Sequence, residues 1–230
     1  MTKICVVTGG RMDYGHLFKL MMMIKNNPKF ELLIIASCMH LAPDFGNTYK
    51  KIEEDGFVIN KRVDCLLSSD NDSGICKSVG LATILFSDCF EELKPDLLIV
   101  MGDRFEILAA SQAALFMKIP IAHIAGGDTT EGAYDESIRH SITKMSHIHF
   151  VTNNESLKRV RQLGENPDLV FNVGSPSIDL IKETKFIDKD KLEELLDFKF
   201  MSKNILLTYH PVTLDNDEND IEILLESLSK

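Results

Sequence analysis

Paired cysteines, long apolar runs and positive charge are all scarce in this sequence of 230 residues. Its five cysteines are odd in number and form no Cys-x-x-Cys motif, so we expect neither disulfides nor a cysteine zinc site, as in a reducing cytoplasm. No apolar run approaches the ~20 residues of a transmembrane helix, and a strand pattern begins at once, so we expect no signal peptide and no membrane contact. The net charge of −10 argues against nucleic acid or an anionic membrane as a partner.

The first glycine-rich turn, residues 8–15, lacks the motifs of common nucleotide-binding folds. It does not fit GxGxxG, and His16 and Leu17 stand where a P-loop requires Lys and Ser or Thr. Nicotinamide cofactors and P-loop NTP hydrolysis are therefore disfavoured. Two interpretations remain: a plain strand-to-helix turn, or a turn whose Arg11 and Asp13 contact a sugar nucleotide.

What is present is an alternation of strand and helix patterns. Strands are predicted at residues 3–8, 30–37, 57–63, 97–101, 121–124, 147–152 and 169–173. Helices are predicted at residues 14–26, 48–55, 75–93, 105–117, 136–145 and 155–163. Such alternation indicates βαβ units and therefore an α/β fold with a Rossmann-like, doubly wound parallel sheet.

The pattern changes near residue 177, which predicts two unequal domains. Residues 1–176 form the Rossmann-like domain, and residues 177–230 form a linker helix and the start of a second one. In this tail, helices at 188–196 and 218–228 flank a strand at 204–209. One strand and two helices are too few for a separate core, so the tail resembles the opening of a second α/β domain that stops early.

Charged side chains are concentrated where predicted strands end. Asp103 and Arg104 follow the apolar strand 97–101, at the edge where open α/β sheets bind ligands. Arg11 follows the first strand, and Arg139 lies early in the helix 136–145, so these three arginines predict an anion pocket. Helix capping by Asp103 is the simpler alternative.

A second glycine-rich stretch, residues 123–140, adds further carboxylates to the same edge. Asp128, Glu131 and Asp135 could converge there with Asp103, and their environments could divide them into an acid and a base. The alternative is a solvated loop in which Asp135 caps the helix that carries Arg139.

Three histidines need the same weighing. His147 and His149 share one strand face at a spacing compatible with a metal, but no third ligand is near in sequence, so packing is favoured. His210 ends the strand predicted at 204–209, where it could hydrogen-bond a substrate across an interdomain cleft.

Several motifs together resemble the hydrolysing UDP-N-acetylglucosamine 2-epimerases of sialic-acid and related nonulosonate synthesis. They are TGGRMDY (8–14), FGNT (45–48), GDR (102–104), DESIRHSITK (135–144), VGSP (173–176) and HPVT (210–213). The resemblance covers essentially the whole chain and implies the N-terminal half of a GT-B fold, two Rossmann domains around a cleft. It does not separate UDP-N-acetylglucosamine from a relative such as UDP-N,N'-diacetylbacillosamine.

The resemblance also implies a reaction. A base removes the C2 proton, an acid helps UDP leave C1, and water adds to the resulting glycal, which yields the 2-epimeric free sugar. The implied catalytic residues are Asp103, Asp135, Asp128 and His210, and the implied substrate-binding residues are Arg11, Asp13, Arg104, Glu131 and Arg139. No metal or redox cofactor is implied, the partner is a UDP-sugar, and a homo-oligomer is expected.

Two departures from the family pattern stand out. Many relatives carry Glu-Gly-Gly-Glu where this sequence has Ala125-Gly126-Gly127-Asp128. If the first glutamate is catalytic, either Asp128 takes over its task or this branch divides the work differently. The family's second domain also continues well beyond residue 230. Three hypotheses follow: the amino-terminal part of a 2-epimerase, a non-catalytic binding or assembly module, and half of a GT-B glycosyltransferase.

Overall fold

Seven parallel strands form one sheet in the computed structural model, which describes residues 1–69, 71–209 and 220–229. The strands are β1 Thr2–Thr8, β2 Phe30–Ser37, β3 Lys61–Val63, β4 Leu97–Met101, β5 Ile121–Ile124, β6 Ile148–Val151 and β7 Val170–Asn172. Their spatial order is β3-β2-β1-β4-β5-β6-β7. The α/β fold with a doubly wound parallel sheet is therefore confirmed.

Helices connect successive strands and cover both sheet faces. They are α1 Arg11–Lys25, α2 Tyr49–Glu54, α3 Asp72–Leu93, α4 Phe105–Phe116, α5 Asp135–Met145, α6 Asn154–Gln162, α7 Pro176–Glu183, α8 Lys189–Leu196 and α9 Asp220–Leu228. One face of the sheet packs against α3 and α4, whose side chains Phe86, Phe90 and Ile107 are fully buried. The other face packs against α1, whose side chains Leu17 and Met21 are fully buried.

The strand order reverses beside β1, and this positions the site. The centre of β1 pairs with β2 on one side and β4 on the other, with Val6 opposite both Ile34 and Ile99. Chain connections leave in opposite directions at such a switch point, so a crevice opens at the carboxyl ends of the strands. The turns after β1 and β4 border this crevice.

By length and composition alone, α3 could cross a membrane, so the expectation that no apolar run approaches that length is too strong. However, Ala82, Phe86 and Phe90 of α3 are fully buried in the core against the sheet. This burial is typical of a core helix in a globular domain.

Some predicted elements differ in the structure. Of the strand predicted at 57–63, only Lys61–Val63 pairs with β2. Residues 204–209 form no strand and are exposed, because no strand lies beside them in the described part of the chain. Helix α7 was not predicted; His16 and Ser177 join it to α1 by a hydrogen bond of 3.0 Å.

Candidate active site

A cavity of about 400 Å³ opens at the switch point, at the carboxyl ends of β1, β2 and β4. Arg11 and Asp13 from α1, Thr48 before α2 and Arg104 before α4 are among the residues that line it. The structure thus brings together the two strand-end arginines of the predicted anion pocket. A second cavity, of about 440 Å³, lies between α1, α7 and the sheet and is lined mainly by apolar side chains.

Arg104 lies between two acidic side chains. Its Nε pairs with Glu106, and Asp13 Oδ2 is 3.7 Å from the same nitrogen. Asp13 also accepts a hydrogen bond from the Gly9 amide at 3.3 Å. Burial raises the pKa of Asp13 from 3.8 to about 6; Arg104 opposes this shift and the nearby Glu106 adds to it.

The raised pKa of Asp13 predicts a pH-dependent stability. The folded protein keeps the Asp13 proton up to about pH 6, so this group favours folding in acid and the benefit is lost as the pH rises through that value. We expect Asp13→Asn to increase the free energy of unfolding at pH 8 by on the order of 2 kcal/mol, and to leave it unchanged near pH 4. Urea unfolding at both pH values measures the difference. A carboxyl ¹³C titration of Asp13 with a midpoint near 4 would contradict the prediction.

Asp103 is held by Arg139, which reaches it from α5. The nearly buried guanidinium pairs with the Asp103 carboxylate and donates to the Asp128 carbonyl at 2.9 Å and to Thr130 Oγ1 at 3.0 Å. Burial raises the pKa of Asp103, Arg139 lowers it, and the negative charge of Asp135 raises it again. Asp135, another of the predicted acid/base carboxylates, is therefore near enough for its charge to act on Asp103.

Neither carboxylate caps its helix. The residue at the N-cap of α4 is Arg104, and Tyr134 takes that position for α5, so the expectation that Asp135 is the N-cap is wrong. Asp135 is instead the first residue of α5. The alternative role of Asp103 as a simple cap is also excluded, because its carboxylate pairs with Arg139.

Asp128 has a different environment from Asp103. Its carboxylate accepts hydrogen bonds from Thr152 Oγ1 at 3.0 Å, Asn153 Nδ2 at 3.3 Å and Ser156 Oγ. These bonds tie the loop after β5 to the start of α6. Many relatives carry a glutamate at the position of Ala125. A catalytic role for Asp128 in place of that glutamate stays a prediction.

The same loop depends on a glycine that admits no side chain. Gly127 has φ +82°, and a Cβ there would lie 2.6 Å from the Ser156 carbonyl oxygen and 2.7 Å from Val160 Cγ2. We therefore expect Gly127→Ala to reduce the free energy of unfolding by about 2 kcal/mol in a urea titration. Gly80→Ala is the control: nothing lies within 4 Å of its Cβ position inside α3, so it should stabilise slightly. The same sign for both variants would contradict this account.

The remaining predicted site residues are less constrained. Arg11 is exposed at the start of α1 beside the cavity, and Glu131 is exposed in the loop before α5. His210 lies outside the described residues. Roles for these three side chains stay predictions.

The two strand histidines have separate protein partners. His149 Nε2 lies 3.2 Å from Glu165 Oε2, and His147 Nδ1 accepts the Ile121 amide at 3.3 Å. In the part of the chain that the structure describes, no group of three or more His, Cys, Asp or Glu side chains could hold a metal ion. His149 is buried, as the packing interpretation predicts, whereas His147 is exposed and precedes β6, so that interpretation is wrong for His147.

Two buried histidines were missed by the sequence analysis. His40 lies 2.9 Å from Thr8 Oγ1 and 2.8 Å from Thr48 Oγ1, and His123 Nε2 lies 2.8 Å from the Gly102 carbonyl oxygen. Burial lowers the pKa of each to about 4, so both are neutral near pH 7. They support the turns after β1 and β4, and no sequence motif identifies them.

The fold and the site together define a class: a Rossmann-like α/β domain with arginines and interacting carboxylates at its switch point. Comparison with known sequences defines the family. A family model described as UDP-N-acetylglucosamine 2-epimerase matches residues 22–230, so the chain belongs to this family.

Individual relatives agree with this assignment. The chain is 45% identical over 228 residues to the GDP/UDP-N,N'-diacetylbacillosamine 2-epimerase (hydrolyzing) of Campylobacter jejuni, covering 98% of this chain and 59% of that protein. It is 36% identical over 220 residues to the UDP-N,N'-diacetylbacillosamine 2-epimerase (hydrolyzing) of Legionella pneumophila, covering 96% and 58%. The chain thus spans less than two thirds of the length of these relatives.

Solved structures show the same fold. The UDP-GlcNAc 2-epimerase of Neisseria meningitidis, solved bound to UDP-GlcNAc, superposes with a TM-score of 0.70 at 21% identity. The match covers 86% of this chain and 54% of that one. The expectation that this chain corresponds to one part of a larger fold is consistent with that coverage.

Proposed function

We propose that this chain forms the amino-terminal part of a hydrolysing UDP-sugar 2-epimerase. The observation that carries the proposal is the Asp103 carboxylate, which is paired with Arg139 at the sheet edge that also bears Arg104 and whose pKa is raised by burial. Proton removal from a sugar carbon and expulsion of a nucleotide need an acid/base pair beside cationic side chains. Family membership favours this function over that of a glycosyltransferase half.

The reaction divides into two steps. In the first, one carboxylate of the pair takes the C2 proton, the C1–O bond to UDP breaks, and a C1=C2 double bond forms. In the second, water adds its oxygen to C1 while a proton reaches C2 from the opposite face. Arg11 and Arg104 bind the phosphate oxygens as negative charge develops on the departing UDP, and Arg139 orients Asp103.

The sugar is a finer part of the proposal. Because the relatives at 45% and 36% identity are named for UDP-N,N'-diacetylbacillosamine, we propose that substrate first and UDP-N-acetylglucosamine second. Self-association and a cytoplasmic location stay predictions.

Proton NMR in D₂O tests the proposal. The purified chain is incubated with each UDP-sugar, and UDP release and deuterium at C2 of the free sugar are followed together. Both signals in one sample support a hydrolysing 2-epimerase. UDP binding without turnover supports a binding or assembly module, and transfer only when an acceptor sugar is added supports a glycosyltransferase.

A further inference from the structure

Glu106 is a completely buried carboxylate next to the candidate site, and the reaction proposed above does not use it. It lies in the first turn of α4 with no exposed side-chain surface. Its Oε1 pairs with Arg104 Nε, and its Oε2 has no hydrogen-bond partner among the described residues. Burying a carboxylate is costly unless a charged partner compensates, so Arg104 explains why the group is tolerated.

The contacts of Arg104 are confined to one side of its guanidinium. Glu106 and Asp13 both approach Nε, whereas neither Nη nitrogen donates a hydrogen bond to a residue in the described ranges. The side chain is 28% exposed and lines the 400 Å³ cavity. A guanidinium held through Nε keeps two parallel N–H donors for the oxygens of a phosphate group.

Gly9 provides the space that Glu106 occupies. A Cβ at Gly9 would overlap the Glu106 carboxylate, although the backbone there is not left-handed. A side chain at residue 9 would therefore force the Glu106 side chain to shift from its observed position.

We infer that Glu106 is a positioning residue, which holds Arg104 by Nε so that its two Nη groups meet two oxygens of a nucleoside diphosphate. The inference rests on the proposed function, because it takes the UDP moiety as the ligand. To hold Arg104 in this way, residue 106 needs only an oxygen that accepts a hydrogen bond from Arg104 Nε. The negative charge of Glu106 by itself opposes anion binding.

The two effects of Glu106 have opposite signs, which makes the inference testable. Loss of the charge alone should strengthen anion binding. Loss of the acceptor should release Arg104 and therefore weaken anion binding. Glu106→Gln keeps an acceptor oxygen and removes the charge. Glu106→Met has a similar length and removes both.

Titration calorimetry of the 230-residue chain with inorganic pyrophosphate and with UDP distinguishes these cases. We expect Glu106→Met to raise both dissociation constants by about tenfold, and Glu106→Gln to match or improve on the original chain. Gly9→Ala should reproduce the loss by displacing an unchanged Glu106, while Gly80→Ala should have no effect.

Each outcome decides the inference. Binding by a folded Glu106→Met variant that equals or exceeds that of the original chain would overturn it and leave the proposed function intact. If circular dichroism shows that Glu106→Met does not fold, the binding of Gly9→Ala is used instead, and unweakened binding by that variant would overturn the inference. If the original chain turns over UDP-sugar but binds no pyrophosphate, only this inference fails; if it neither binds UDP nor turns over UDP-sugar, both fail.

Discussion

Replacing Asp103 by Asn should reduce UDP-sugar turnover by about 10²- to 10⁴-fold in any active form of this protein. The amide oxygen can still accept a hydrogen bond from Arg139, so the local structure should persist. What the variant loses is a group that can take or give a proton beside Asp135. Initial rates of UDP release and of deuterium incorporation at C2 measure the loss.

Asp96→Asn is the matched control. Asp96 precedes β4 at the opposite end of the same strand, where its carboxylate accepts the Lys3 amide at 2.8 Å. This variant should keep the original rate within about twofold. Full activity of Asp103→Asn would show that the assignment of Asp103 to acid/base chemistry is wrong.

Replacing Arg139 by Met should reduce the free energy of unfolding by about 3 kcal/mol. Arg139 is nearly buried and binds Asp103, the Asp128 carbonyl and Thr130, so its removal leaves the Asp103 carboxylate without its cation. Because the uncompensated charge causes the loss, the loss should shrink at low pH, where Asp103 is protonated. Urea unfolding at pH 8 and pH 4 measures both effects.

Two further variants test this explanation. The double variant Asp103→Asn, Arg139→Met should be more stable at pH 8 than Arg139→Met alone, because it no longer buries an unpaired charge. Lys158→Met breaks an exposed pair with Glu155 in α6 and should cause no measurable change. If Arg139→Met and the double variant are equally stable at pH 8, the destabilisation comes from lost packing and not from an unpaired charge.

The elements of the sheet were largely predictable from the sequence. The predicted bounds of β2, β4 and β5 agree with the structure, because apolar runs between turn residues are typical of buried parallel strands. The short β3 and the unpaired residues 204–209 were overpredicted for one reason. Apolar composition indicates a tendency to form a strand, but a strand also needs a neighbour to hydrogen-bond.

The helix ends show a similar limit. Aspartate is a residue type favoured at N-caps, yet Asp135 is already the first residue of α5, and Tyr134 is the N-cap. Aspartate is favoured at helix N-caps and is also a common acid/base residue in active sites. Only the contacts of the side chain separate the two roles.

The sequence by itself determined the parallel α/β class, the family, and the edge of the sheet at which Arg11, Asp103 and Arg104 meet. Strand polarity accounts for this, because every strand-to-helix turn of a parallel sheet opens on the same side. Tertiary structure alone decided which charges pair: Arg139 with Asp103, and Arg104 with the buried Glu106. Such pairing depends on the positions of side chains that belong to different chain segments, and neither periodicity nor motif spacing encodes those positions.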